Sequence, residues 1–188
     1  MAMKKLITRL TSLAAALVLT ATLAAAGQAK EETFGRQRVL EKIRKELVTL
    51  PFYGVFDNLA YSFDGGTATL YGQVVRPTTK SDAERRVRRI AGVERVVNRI
   101  EVLPLSTFDD SVRAQAYRQI FGTAGLYRYA MGANPSVHIV VNRGHLTLEG
   151  VVSSEGDRNL ARIAALQVPG VFSVTNNLRL DRDERRAR

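Results

Sequence analysis

The chain has 188 residues, no cysteine, 45% hydrophobic residues and a formal net charge of +10. That length admits one ordinary domain or two small ones, and the composition is globular rather than disordered or fibrous. Without cysteine, disulfides, thiolate metal sites, cysteine nucleophiles and a lipid anchor on an N-terminal cysteine are excluded, while the positive charge favours anionic partners without specifying a fold.

Residues 1–29 read as a secretory signal peptide. Lys4, Lys5 and Arg9 precede an apolar stretch from Leu10 to Ala26 that ends in small residues, so cleavage before Gly27 or before Lys30 fits. A retained anchor is the alternative, but a run of about 17 residues lies at the short limit for a bilayer span. Loss of Lys4, Lys5 and Arg9 lowers the charge from +10 to +7. The exported protein, periplasmic or secreted, therefore stays basic.

A first module is expected over 36–104. Val39, Ile43 and Leu47 recur every four residues, with Leu40 and Leu50 beside them and Pro51 ending the helix. Leu59, Tyr61 and Phe63 then alternate with smaller or polar residues, Asp64-Gly65-Gly66 turns the chain, and Ala68, Leu70 and Val74 return on the same side. A second helix is predicted from about Ser81 to Ala91, with Gly92 placed for a left-handed cap. Val96, Asn98, Ile100 and Val102 form a last strand.

After a linker at 105–110, the pattern repeats over 111–180. Between Gly66 and Asn98, ten residues recur at a constant offset of 78, among them Gly144, Leu148, Gly150, Gly170 and Asn176. Asp109, Asp110 or Ser111 could cap the opening helix. Val137, Ile139 and Val141, the turn Asn142-Arg143-Gly144, then Leu146, Leu148 and Val152 make the strand pair. Residues 181–188 form a charged tail. The predicted fold is α+β: two tandem αββαβ modules, each a three-stranded sheet with two helices on one face.

Two stretches of the second copy, from Val137 to Val152 and from Pro169 to Leu178, resemble the BON domain. This small module of bacterial envelope proteins is named for an osmotically induced periplasmic protein and nodulation proteins. The first copy departs from the pattern at its hairpin and carries Arg where later residues are apolar. The resemblance implies a periplasmic, non-enzymatic protein of tandem modules that binds phospholipid or stabilises the envelope under stress. It supplies no catalytic residues.

The residues themselves point the same way. His138 and His145 lack cysteine, histidine or paired carboxylate neighbours at ligand spacing, and strand phase places His138 opposite the apolar set, facing solvent. No nucleophile elbow or phosphate loop occurs, so no enzyme, cofactor or metal is expected. Asn98 and Asn176 lie in phase with inward residues and should bond locally. Arg85, Arg88 and Arg89 project outward as either a solvated face or an anion-binding strip.

In copy two, Asp82, Arg85 and Arg88 become Leu160, Ile163 and Leu166, an apolar outer stripe that packing between the modules would cover. Copy two also gains five residues before its hairpin glycine. That expansion carries Leu126, Tyr127, Arg128, Tyr129 and Met131 between Gly125 and Gly132, residue types suited to a lipid interface, or else to packing over their own helix. Binding of anionic phospholipid at a membrane surface is the leading expectation. A structural or assembly factor for envelope proteins or peptidoglycan is the alternative. Export and the lack of an aromatic stacking platform disfavour nucleic acid.

Overall fold

A computed structural model describes residues 33–132 and 134–182. The expected signal peptide, 1–29, and most of the charged tail, 183–188, lie outside these residues.

Helix α1 spans 33–48 and buries Ile43 and Leu47, with Leu50 just beyond it, against the first sheet. Strands β1 (Asn58–Asp64) and β2 (Thr67–Val74) form an antiparallel hairpin in which Phe63 faces Ala68 and Tyr61 faces Leu70. Helix α2 (Pro77–Val87) carries the chain back, so that β3 (Arg95–Asn98) and β4 (Glu101–Val102) pair in parallel with β2. Module 2 repeats the plan with α3 (Thr107–Gly122), β5 (Val137–Asn142), β6 (His145–Val152), α4 (Glu155–Leu166), β7 (Ser173–Asn176) and β8 (Arg179–Leu180). Two α+β modules in tandem are present, and β2 or β6 is the middle strand of its sheet.

Three details differ from expectation. Helix α2 starts at Pro77, four residues earlier than predicted, because proline's fixed φ and missing N–H suit the first helical turn. Helix α3 is capped by Ser106, whose hydroxyl accepts from Asp109 N at 3.1 Å. The third strand is broken in each module. At the break, Asn98 Oδ1 accepts from Ile100 N at 3.2 Å while its Nδ2 donates to Lys80 O at 3.1 Å on α2. Asn176 does the same with Leu178 N (3.2 Å) and Arg158 O (2.9 Å). Each half-buried asparagine thus ties the strand break to the preceding helix, and its polar atoms are satisfied locally.

Asp109 is fully buried and has a different task from capping. Its carboxylate accepts from Gly144 N at 2.8 Å and Arg143 N at 2.9 Å, clamping the β5–β6 turn, where Arg143 itself holds a positive φ of 52°. Beside it, buried Arg113 donates to Val141 O at 2.7 Å and pairs with Asp110 at 2.5 Å.

Glycine is required at one matching position in each hairpin. Gly150 has φ 114°, and a Cβ there would lie 2.1 Å from Ser136 O; Gly72, its equivalent, has φ 109° and would meet Asn58 O at 2.0 Å. The obstacle is backbone, so a side chain must displace a strand. We expect Gly150→Ala to destabilise the protein by about 3 kcal/mol, from backbone strain together with the clash. Gly35→Ala, on open helix surface, should be neutral or stabilise by up to about 1 kcal/mol. Paired thermal and urea melts of the two variants check this.

Candidate binding surface

The modules meet along a seam that joins the chain between α1 and β1 to the edge of β5. Ile139 N donates to Val55 O at 2.7 Å, and Val55 and Phe56 pack onto the core of module 2. All of Val137–Val141 is buried. His138 is therefore not solvent-facing, as strand phase alone suggested. The face that alternation assigned to water is covered by the other module.

At the seam, Tyr53 Oη lies 3.3 Å from His138 Nε2, and His138 Nδ1 lies 3.2 Å from Gly54 O. A carbonyl can only accept, so Nδ1 carries the proton and Nε2 accepts from the tyrosine hydroxyl. Burial pushes the Tyr53 phenol up to about 12. It also pushes the His138 imidazole below its ordinary value, against the raising influence of the Gly54 carbonyl and the carboxylates of Asp57 and Glu149. Asp57 accepts from Val75 N at 2.7 Å and Gly54 N at 3.0 Å, yet burial raises its carboxyl overall.

The stripe of Leu160, Ile163 and Leu166 does not form this seam. Leu160 packs partly against its own core, whereas Ile163 and Leu166 are 52% and 54% exposed. Covering by the other module is corrected accordingly: that module contacts β5, not the outer face of α4. Ile163→Arg combined with Leu166→Arg should leave the melting temperature within about 2 °C of the parent, since exposed substitutions usually fall within about 0.5 kcal/mol. Differential scanning calorimetry gives the answer.

The expansion before the hairpin is a 3-10 helix, Leu126–Ala130, entered through Gly125 at φ 83°. With three residues per turn, Leu126 and Tyr129 fall on one side, and both are buried in the core of module 2. Their expected lipid contact is thereby corrected. Tyr129 Oη donates to Asp157 at 2.9 Å and accepts from Ser153 N at 3.0 Å. Arg128 is also engaged: it bonds Gly125 O at 2.7 Å and Tyr129 Oη at 3.0 Å, pairs with Asp157 at 2.8 Å and lies over the Tyr129 ring. The Ser154 hydroxyl, followed by Tyr129 and Arg128, holds Asp157 below the ordinary carboxylate value despite some burial. The expansion thus fastens onto the N-terminus of α4. Tyr129→Phe removes the acceptor for Ser153 N and should cost about 1–2 kcal/mol by urea denaturation.

Tyr127 and Met131 remain outside, 60% and 65% exposed. With Tyr117, Arg118 and Phe121 of α3 they line a groove of about 510 Å³. A neighbouring groove of about 470 Å³ shares Tyr117 and Arg118 and reaches Val55 and Phe56 at the seam. Tyr117 stands edge-on to both Phe121 and Phe56, at centroid distances of 5.1 and 6.3 Å. Together these make an apolar strip along α3 with Arg118 at its middle. Tyr117 and Phe121, four residues apart on α3, are the signal the sequence carries for this strip, but the strip forms only because the expansion and Phe56 lie alongside them.

The expected anion-binding arginines separate into two kinds. Arg85 pairs with Asp82 and Arg88 with Glu84 along α2. Arg89 instead lines a groove of about 600 Å³ between α1 and the end of α2, beside Lys42, Lys45, Arg86 and a single carboxylate, Glu46. Among the described residues, no group of three or more His, Asp or Glu side chains is placed to hold a metal ion.

Both modules match the family model described as BON domain, over residues 37–104 and 110–182. The chain belongs to the BON-domain family. An uncharacterized protein in the gshII 5' region of Anaplasma centrale is 28% identical over 148 residues, which is 76% of this chain and 92% of that protein. Among solved structures, the C-terminal domain of CdsD, a structural protein of the type III secretion system of Chlamydia trachomatis, is 14% identical. It matches with a TM-score of 0.32 over 78% of this chain and 66% of that one. A second CdsD structure is 11% identical, with a TM-score of 0.29 over 80% and 96% of the two chains.

Proposed function

We propose that this BON-domain protein acts without catalysis, as a peripheral binder of anionic phospholipid at the bacterial envelope. It works in the periplasm and supports envelope integrity under osmotic or other stress. The observation that carries the reading is the exposed set Tyr117, Tyr127 and Met131 around Arg118. Tyrosine rings seat at headgroup depth, methionine reaches the acyl boundary, and an arginine beside them meets phosphate. No described helix is long and apolar enough to cross a membrane, so the contact proposed is with the surface.

Charge supports the same orientation. Residues 33–104 carry thirteen Lys and Arg against eight Asp and Glu, while residues 105–182 carry eight against six. The module that exposes the apolar strip is the less charged, and its partner supplies longer-range attraction through Lys42, Lys45 and Arg89. A second reading, a protein partner, rests on the half-exposed Ile163 and Leu166 of α4.

Cosedimentation with neutral and anionic vesicles tests both. Arg118→Glu should weaken anionic-vesicle binding several-fold, since one cation near such a surface contributes about 1 kcal/mol and reversal removes more. Tyr127→Ser with Met131→Ser should weaken it further without lowering the melting temperature. Reversal of the already paired Arg85 and Arg88 should matter less. Binding that ignores headgroup charge and all of these changes would refute the lipid reading, and capture of an envelope protein lost with Ile163→Arg would favour the second.

A further inference from the structure

The seam between the modules contains an ionisable group that the lipid reading does not use. His138 sits on β5, 8% exposed, with its one ring N–H committed to Gly54 O and its one ring-nitrogen lone pair to Tyr53 Oη across the seam. Two residues of backbone away along the same contact, Val55 accepts from Ile139 N. Next to this seam opens a cleft of about 800 Å³ lined from both modules, by Arg44, Tyr53 and Leu59 on one side and Ser136, His138 and Glu149 on the other.

We propose that this seam is an acid-released latch: uptake of a proton by His138 frees residues 53–57 from β5 and opens the cleft between the modules. The argument is one of hydrogen-bond geometry. Tyr53 Oη donates to His138 Nε2 across the seam, and His138 Nδ1 donates to Gly54 O beside it. When Nε2 gains a proton, two donors face each other across 3.3 Å. The tyrosine hydroxyl must then turn its proton away from His138, toward the cleft that Tyr53 lines, and the bond it donated across the seam is lost. The new imidazolium must also be carried in a dehydrated site.

The surrounding charges set the sign. From its own β-hairpin His138 faces Glu149, its cross-strand partner; from the 53–57 segment it faces Tyr53 and Asp57, with Arg76 beyond Asp57. Arg44, Arg179 and Asp181 line the adjoining cleft. The carboxylates favour the cation, but burial outweighs them and the imidazole stays below its ordinary value. A group so depressed binds protons better once released. The latch is therefore strongest above about pH 6.5, the unperturbed histidine value, and weakens as pH falls from there toward the lower value of the closed state. Asp57 acts oppositely: raised by burial, it favours the closed state as pH falls through its own value toward the ordinary carboxylate one.

The chain has two histidines, so their ring resonances can be assigned with His138→Gln and titrated by NMR. Hydrogen exchange of the Ile139 amide, corrected for intrinsic rate and compared with that of the core residue Leu148, reports the seam. The expected result is a fall in Ile139 protection between pH 7.5 and 5, about sevenfold for a His138 titration depressed by one unit and up to about thirtyfold for a larger depression, with Leu148 little changed. In His138→Gln the pH dependence should vanish, and Tyr53→Phe should lower protection already at pH 7.5. An ordinary His138 titration, or Ile139 protection that tracks Leu148 at every pH, overturns the latch. The measurements use no lipid, so their failure leaves the lipid reading standing, and failure of vesicle binding leaves the latch standing.

Discussion

The architecture turns on the placement of five residues, 53–57, which leave α1 and lie against the edge of β5 before entering their own sheet. A single hairpin module of some seventy residues has little interior, and burial of its exposed strand edge by a neighbour removes both apolar surface and unpaired backbone from water. Here that neighbour is the preceding module. Val55 gives its carbonyl to Ile139, Phe56 meets Tyr117, and β5 becomes buried along almost its whole length. The two copies are thus not merely strung together; the segment that begins the first sheet completes the covering of the second.

The copies share a scaffold and diverge on its surface. Shared geometry sits at positions where the backbone itself demands it, as at Gly72 and Gly150, or where a half-buried side-chain amide bonds the backbone at a strand break, as at Asn98 and Asn176. Elsewhere, equivalent positions exchange character. Glu94, which lies over Gly66 in the first module, is replaced by Phe172 over Gly144 in the second, where it stacks on Phe108. The charged pairs of α2 give way to the half-exposed Ile163 and Leu166. One module keeps its outer helix in water by charge; the other leaves apolar surface available.

Elements with a period were legible in the sequence, because alternation and four-residue recurrence report which face is buried. Phe63, Ala68, Leu70 and Val74 fall inward as their spacing requires, and the in-phase asparagines find backbone partners. What could not be read was anything that depends on a neighbour distant in sequence. His138 looked exposed because its cover lies about 85 residues earlier. Asp109 looked like a cap because its true partners are in a turn 35 residues away. In the expanded segment, the residue types were informative, but only the three-residue turn decides which of them point out. Tyr127 and Met131 stayed available; Leu126 and Tyr129 became core, and Arg128 was drawn into their hydrogen bonds.

The sheet edges of the two modules are guarded by different means. On β1, Arg36 Nε donates to Phe63 O at 3.1 Å, so a local side chain occupies a backbone group that another strand would seek. On β5, the guard is the first module itself. An edge that is apolar, regular and unblocked is a template for strand addition. Proteolytic separation of the modules would therefore have unequal results: the first carries its own edge protection away with it, whereas the second, stripped of residues 53–57, presents Val137–Val141 to any chain able to pair with it.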